Sequence, residues 1–228
     1  MKNEYDNRLA KIYNDLNAED KYQKEIEYLN NFIGQKSRIL DVGCGTGMHN
    51  YLFASLGHDC VGIDISADMI EVATRNNKTT AKFENVSIEN FISDEKFDLC
   101  ISMFNVVNHV LEIENLKKFF ENIVLNLKVG GVLVFDCFNS VAVIRDRPRT
   151  KKTKGLVMNP TYNPQAGILK MNYSGDNEFS LTHRIWDISV LVEVLNQVGF
   201  EVKLYKRNTF LKLSEDDYKI TFACRRIK

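Results

Sequence analysis

The stretch LDVGCGTG sets Gly43, Gly45 and Gly47 just after an acid, Asp41, and a second acid, Asp64, closes the next apolar run, DCVGID. Glycines after a strand let a ligand approach the backbone, and the free N–H groups that open a helix form a polar cradle. A dinucleotide cradle uses G-x-G-x-x-G, but Met48 holds the place of the third glycine. Asp41 would repel a pyrophosphate and suits a cationic or amine-bearing ligand. Asp64 ends a strand that borders the crevice of an open parallel sheet, where a carboxylate can accept both hydroxyls of a ribose. Together these residues describe a site for an adenosine with a positively charged tail rather than phosphates.

A second polar cluster lies in ISMFNVVNHV, where Asn105, Asn108 and His109 interrupt an apolar run. Buried polar groups are costly without partners, so they either satisfy the loop backbone or face a pocket. A histidine there can take a proton from a reacting amine or hydroxyl, or it can simply hold the loop. Asp136 lies near the end of the next strong apolar run, GVLVFDCF, and Asn139 just after it.

The elements that must position these groups alternate. Apolar runs at SRILDV, DCVGID, TAKFE, FDLCISMF and GVLVFDCF read as strands. Helical patterns fall over Met48–Leu56, after Ser66 as N-cap, and from Glu112 to Lys128 with Gly130 as the stop. Strands apolar on both faces, alternating with helices, imply a parallel sheet covered on both sides. Residues 4–33 are helical, polar and rich in tyrosine. Residues 140–180 hold all three prolines and the basic stretch RDRPRTKKTK, which reads as an inserted lid or small β-subdomain. WDISVLVEVLNQVGF is the last helix, capped by Asp187 and stopped by Gly199, with two strands after it. The expected organisation is a cap at 1–36, a core at 37–139, an insert at 140–182 and a completing segment at 183–228.

Thirty basic and thirty acidic residues cancel, so no overall field favours nucleic acid or a membrane surface. No apolar run has membrane-spanning length and no secretory apolar core opens the chain, so the default location is cytoplasmic. Five scattered cysteines without a C-x-x-C pair argue against a disulfide scaffold or structural zinc. No metal cluster is visible. The oligomeric state is left open, a homodimer being one option.

ILDVGCGTG, VGIDIS-ADMI, FDLCISMF and LKVGGVLVFD resemble the class I S-adenosylmethionine-dependent methyltransferases over roughly residues 37–136. The resemblance implies a doubly wound, Rossmann-like α/β fold with a seven-stranded, mostly parallel sheet whose last strand is antiparallel. It implies S-adenosylmethionine as cofactor, with Asp41 on the methionine amine and Gly43, Cys44, Gly45 and Gly47 lining the site. Asp64 takes the ribose hydroxyls, Ile65 and Met69 flank the adenine, and Ser87, Ile88 and Met103 complete the set. Ser87 departs from the family, which usually has an acid there to accept from the adenine amine.

Within the family, the sequence is most similar to small-molecule enzymes: nucleotide-linked amino-sugar N-methyltransferases and the glycine N-methyltransferase-like group. The first carries over Tyr13 to the acceptor side, and the second carries over His109 and Asn139. The expected catalytic set is His109, Tyr13 and Asn105. The expected acceptor contacts are Asn108, Asp136, Asn139, Arg147, His183 and Arg184. The run Arg145 to Lys154 is either a solvated loop or, through Arg145, Arg147, Arg149 and Lys151, a grip on a sugar-linked diphosphate. The implied function is methyl transfer to an amine or hydroxyl of a small molecule, foremost a sugar. Alternatives are an amino-acid-like amine, a quinone-type carbon, or a cofactor-binding regulator without turnover. MFNV stands where amino-adenine methylation needs D/N-P-P-Y/F, which disfavours nucleic acid.

Overall fold

The computed structural model describes residues 19–146, 148–153, 156–175 and 178–228. Tyr13 and Arg147 lie outside the described residues. The chain runs α1 (Glu19–Leu29), β1 (Arg38–Val42), α2 (Met48–Ser55), β2 (Asp59–Asp64), α3 (Ala67–Asn76), β3 (Lys82–Asn85), β4 (Phe97–Ser102), α4 (Ile113–Asn126) and β5 (Leu127–Phe138). It continues through α5 (Ser140–Asp146), β6 (Lys151–Thr153), β7 (Leu156–Asn163), β8 (Ile168–Ser174), β9 (Phe179–Arg184), α6 (Ile188–Val198), β10 (Phe200–Lys206) and β11 (Lys219–Arg226).

The main sheet has the order β10-β11-β5-β4-β1-β2-β3. β11 alone runs against its neighbours, pairing antiparallel with both β5 and β10. This is the seven-stranded sheet that the motifs implied. Successive strand residues point to opposite faces. Leu40, Cys100 and Leu133 therefore meet Phe119, Phe120 and Leu191 from α4 and α6. Ile39, Leu99 and Val132 meet Ile26 and Phe53 from α1 and α2. Both faces are buried, which is why the strands read as unbroken apolar runs. β1 pairs with β2 on one side and β4 on the other, so the strand order reverses between β1 and β4, where ligand crevices form.

One boundary differs from expectation. α4 stops at Asn126 rather than at Gly130, because the buried Asn126 amide is held from outside the helix. Its Nδ2 donates to Phe91 O (2.9 Å) and its Oδ1 accepts the Ser93 N–H (2.8 Å). The chain is extended from Leu127 onward, and Gly130 (φ 82°) falls in the stretch where the β4–β5 register shifts.

The segment expected as a β-insert forms a separate antiparallel sheet, β6-β7-β8-β9, and α5, the helix before it, was not expected. β9 carries His183 and Arg184. Leu181 and Phe179 pack on Met69 and Val72 of α3, so this sheet leans on the wall of the crevice. The five cysteines are free and buried, as small core residues. No helix among the described residues is long and apolar enough to cross a membrane.

Candidate active site

The loop after β1 is folded onto β2 by its own backbone. Gly43 N–H (2.8 Å) and Cys44 N–H (3.0 Å) both donate to Ile63 O. Gly43 has φ 76°, and a Cβ there would stand 2.6 Å from a methyl of Val106. Gly47, the αL residue that opens α2, has a different reason: its Cβ would stand 2.7 Å from the Phe83 ring. The loop thereby becomes the floor of a cleft at the carboxyl ends of β1 to β4.

Asp64, Ile65 and Met69 from the β2–α3 turn, and Val86, Ser87 and Ile88 after β3, line one side of this cleft. Phe104, Val106 and His109 after β4 line the other. Asp64 clamps the loop: its Oδ2 accepts the Gly45 N–H (2.9 Å) and its Oδ1 the Ser66 N–H (2.8 Å). Burial raises its pKa, and the Ser66 and Gly45 N–H groups oppose that rise. The Ile65 N–H also bonds this carboxylate, and its remaining lone-pair capacity is what a ligand hydroxyl can use. Apolar Ile65, Met69, Val86 and Ile88 suit the faces of a flat ring. The residues present thus fit an adenosine.

Two expected cofactor contacts, Cys44 and Met103, are placed elsewhere. Cys44 packs inward, its Sγ 2.9 Å from where a Gly62 Cβ would be. Met103 is buried in the core facing α1 and α2. The chain turns left-handed at both Phe104 (φ 62°) and Asn105 (φ 64°), so Phe104 rather than Met103 reaches the cleft. Asp41 is 1% exposed and lies beneath the loop. Burial pushes its pKa up to about 7, His49 opposing and Asp64 adding to the rise, and its Oδ2 has no hydrogen-bond partner among the described residues.

The acceptor-side residues separate into two kinds. Asn108 is fully buried: its Nδ2 donates to Arg184 O (2.8 Å) and its Oδ1 accepts the Phe138 N–H (3.3 Å). Asn139 caps α5, accepting the Val141 N–H (3.1 Å) and donating to Asp217 O (2.8 Å). Arg184 donates to Ala166 O (2.6 Å) and lies 5.1 Å over Trp186. These three tie elements together. Asp136 is also fully buried; its Oδ1 accepts the Asn105 N–H (2.8 Å). Burial pushes the Asp136 pKa up, but Lys219, Arg207 and that N–H outweigh it and leave the group below the usual carboxylate range.

His109 does face the cleft, and the His183 ring lies 4.4 Å behind it, centroid to centroid. His183 is 3% exposed, and its buried Nδ1 has no hydrogen-bond partner among the described residues. Burial first, then His109 and Lys219, hold its pKa far below the ordinary histidine value, so it is a neutral ring.

Several site residues had no sequence signal. Glu25 of α1 is buried, with Oε2 3.1 Å from His49 Nε2 and Oε1 accepting from Arg207 (2.8 Å). Tyr22, next to it, was visible only as one of many tyrosines; its ring packs on His49 (5.0 Å) and Phe104 (5.3 Å). Among the described residues, no three His, Cys, Asp or Glu side chains gather as metal ligands.

A model of the methyltransferase domain matches residues 39–131. A ubiquinone biosynthesis O-methyltransferase of Rickettsia typhi is 27% identical over 191 residues, 82% of this chain and 68% of that one. A dTDP-3-amino-3,4,6-trideoxy-alpha-D-glucopyranose N,N-dimethyltransferase of Streptomyces venezuelae is 31% identical over 102 residues, 45% of this chain and 43% of that one. The CcbJ methyltransferase structure of Streptomyces caelestis superposes with a TM-score of 0.85 at 14% identity, covering 98% of this chain and all of that one, which shows a shared fold.

Proposed function

We propose, from the premise that this chain is an S-adenosylmethionine-dependent methyltransferase, that it methylates an amine or hydroxyl of a small molecule, and that the acceptor is a sugar amine. The observation that carries this reading is His109 in the cleft wall, backed by the neutral His183 ring. When bound, the cofactor supplies a methyl group on a sulfonium, which an acceptor must approach in line. The protein's own part is to hold the acceptor there and exclude water, and positioning alone can contribute ~7–11 kcal/mol. We assign Asp64 to the ribose hydroxyls, Ile65, Met69, Val86 and Ile88 to the adenine faces, and Gly43 and Gly45 to the floor. His109 takes the proton that an attacking amine must lose, and Phe104 and Val106 keep the reacting end apolar.

Partial similarity to the amino-sugar dimethyltransferase supports the amine, and similarity to the ubiquinone enzyme supports a hydroxyl instead. A nucleotide-linked diphosphate draws no support from Arg145, whose charge is met by Asp146 (2.6 Å) and Asp216 (2.9 Å). Incubation with methyl-labelled cofactor and separate panels of amino sugars and catechols, read by mass spectrometry, decides between them. Label on the amino-sugar nitrogen is expected. Label confined to a catechol oxygen would overturn the amine reading.

Asp41 gives the cofactor reading a pH signature. We assign its carboxylate to the methionine ammonium, which requires the ionised form. With its pKa raised to about 7, binding below that pH must first remove a proton. The dissociation constant is expected to rise about tenfold for each pH unit below 7 and to level off above it. Calorimetric titration from pH 5.5 to 8 checks this, and Asp41→Asn should flatten the slope. A flat profile in the unaltered protein would remove Asp41 from the cofactor's partners.

A further inference from the structure

Arg207, just beyond β10, touches two buried carboxylates that come from different layers of the molecule. Its guanidinium donates to Glu25 Oε1 of α1 (2.8 Å), and its Nε lies 3.3 Å from Asp136 Oδ2 of β5. Glu25 is 1% exposed and Asp136 fully buried. A buried carboxylate without a partner is strongly destabilising. Lys219 also reaches Asp136 Oδ2 (3.5 Å) and His49 faces Glu25 (3.1 Å), and Arg207 bridges the two acids. Asn208 fixes the same loop, donating its backbone N–H to Thr221 Oγ1 (2.9 Å) and its Nδ2 to Glu25 Oε1 (2.9 Å).

Asp136 in turn holds strained backbone. Its Oδ1 accepts the N–H of Asn105 (2.8 Å), the second of two consecutive non-glycine residues in the left-handed region. Such residues are strained and persist only when their surroundings enforce them. This turn is what brings Phe104 and Val106 into the cleft. The Arg207 guanidinium also lies 5.8 Å over the Phe104 ring, and Tyr22 of α1 packs on that ring from its own side.

We propose that Arg207 is a positioning residue that couples the seating of α1 to the shape of the cofactor cleft, gripping the helix through Glu25 and the Phe104–Asn105 turn through Asp136. With α1 seated, Arg207 is held against Asp136, and the turn keeps Phe104 and Val106 in the wall. With α1 displaced, the guanidinium loses its second anchor and the turn relaxes. The coupling itself rests on ion pairs and backbone angles. Only its consequence for cofactor affinity rests on the cleft being the cofactor site.

Hydrogen exchange on the whole protein without ligand tests the coupling. Arg207→Met is expected to raise amide exchange at least tenfold over both 22–29 and 103–109. Glu25→Gln, which changes α1 alone, is expected to raise exchange over 103–109 by at least threefold. Arg207→Lys, which keeps the charge but not the fork, should lie between Arg207→Met and the unaltered protein. Loosening of 22–29 with 103–109 unchanged, in either Arg207→Met or Glu25→Gln, would overturn the proposal. If Arg207→Met does not fold, Glu25→Gln decides on the same two segments. S-adenosylhomocysteine binding is measured alongside: its dissociation constant should rise at least threefold in Arg207→Met. Failure of the unaltered protein to bind it would instead count against the cleft assignment, leaving the exchange result to judge the coupling.

Discussion

Asp64→Ala is expected to weaken S-adenosylmethionine binding by about a hundredfold or more. A hydrogen bond to a charged group contributes ~1.5–3 kcal/mol, and the proposed assignment gives Asp64 two of them to the ribose. Their loss corresponds to ~3–6 kcal/mol, at 1.4 kcal/mol per factor of ten. The same carboxylate also accepts the Gly45 and Ser66 N–H groups, so its removal loosens the floor of the cleft as well as the ligand's anchor. Asp59→Ala is the matching control. Asp59 sits at the opposite end of the same strand in an ion pair with Arg38 (2.9 Å). An exposed pair of this kind contributes ~0–1 kcal/mol, so that variant should bind cofactor as the unaltered protein does. Calorimetric titration of both variants, with thermal melts to verify folding, reads the difference. Unchanged affinity in a folded Asp64→Ala protein would move the ribose away from β2.

That first site was legible because its parts are contiguous. A strand end, three glycines and a helix start lie within one decapeptide, and Asp64 ends the very next strand. The acceptor end was legible only as polarity. Asn108 and His109 are adjacent in an apolar run, yet one amide spans Phe138 and Arg184 while the imidazole beside it faces the cleft. Periodicity cannot make that distinction, because the partners of Asn108 come from β5 and β9. The same reason hid Arg207 and Glu25, which lie 182 residues apart and meet only when β10 has been laid at the sheet edge. Met103 was displaced from the cleft by a backbone event, two left-handed residues in succession, that neither Phe104 nor Asn105 announces by type. α5 was missed because SVAVIRD is rich in β-branched residues, which favour helices weakly; the Asn139 cap and burial of Val143 compensate.

His109→Ala is expected to lower turnover by about 10²–10⁴-fold, the usual range for removal of a general base. The cofactor's dissociation constant should change little by comparison, since the anchoring groups lie around Asp64. A base and a positioning residue separate by pH. If His109 takes the acceptor's proton, raising the pH until the amine arrives neutral should restore much of the variant's rate, because the proton no longer needs a recipient. If His109 only shapes the pocket, the deficit stays the same at every pH. A loss below about tenfold, ~1.4 kcal/mol, would also assign it to positioning. His183 sharpens the distinction. It is a neutral, buried ring 4.4 Å from His109, and two charged imidazoles at that distance would repel. His183→Phe keeps a ring behind His109 and removes the buried Nδ1, so it should leave most of the turnover intact. Its effect on stability has a definite sign. The folded protein disfavours a proton on His183, whereas the unfolded chain binds one below about pH 6.5. The unaltered protein therefore loses up to about 1.4 kcal/mol for each pH unit below 6.5 until the depressed folded-state pKa is reached, and His183→Phe should be less sensitive to acid over that window.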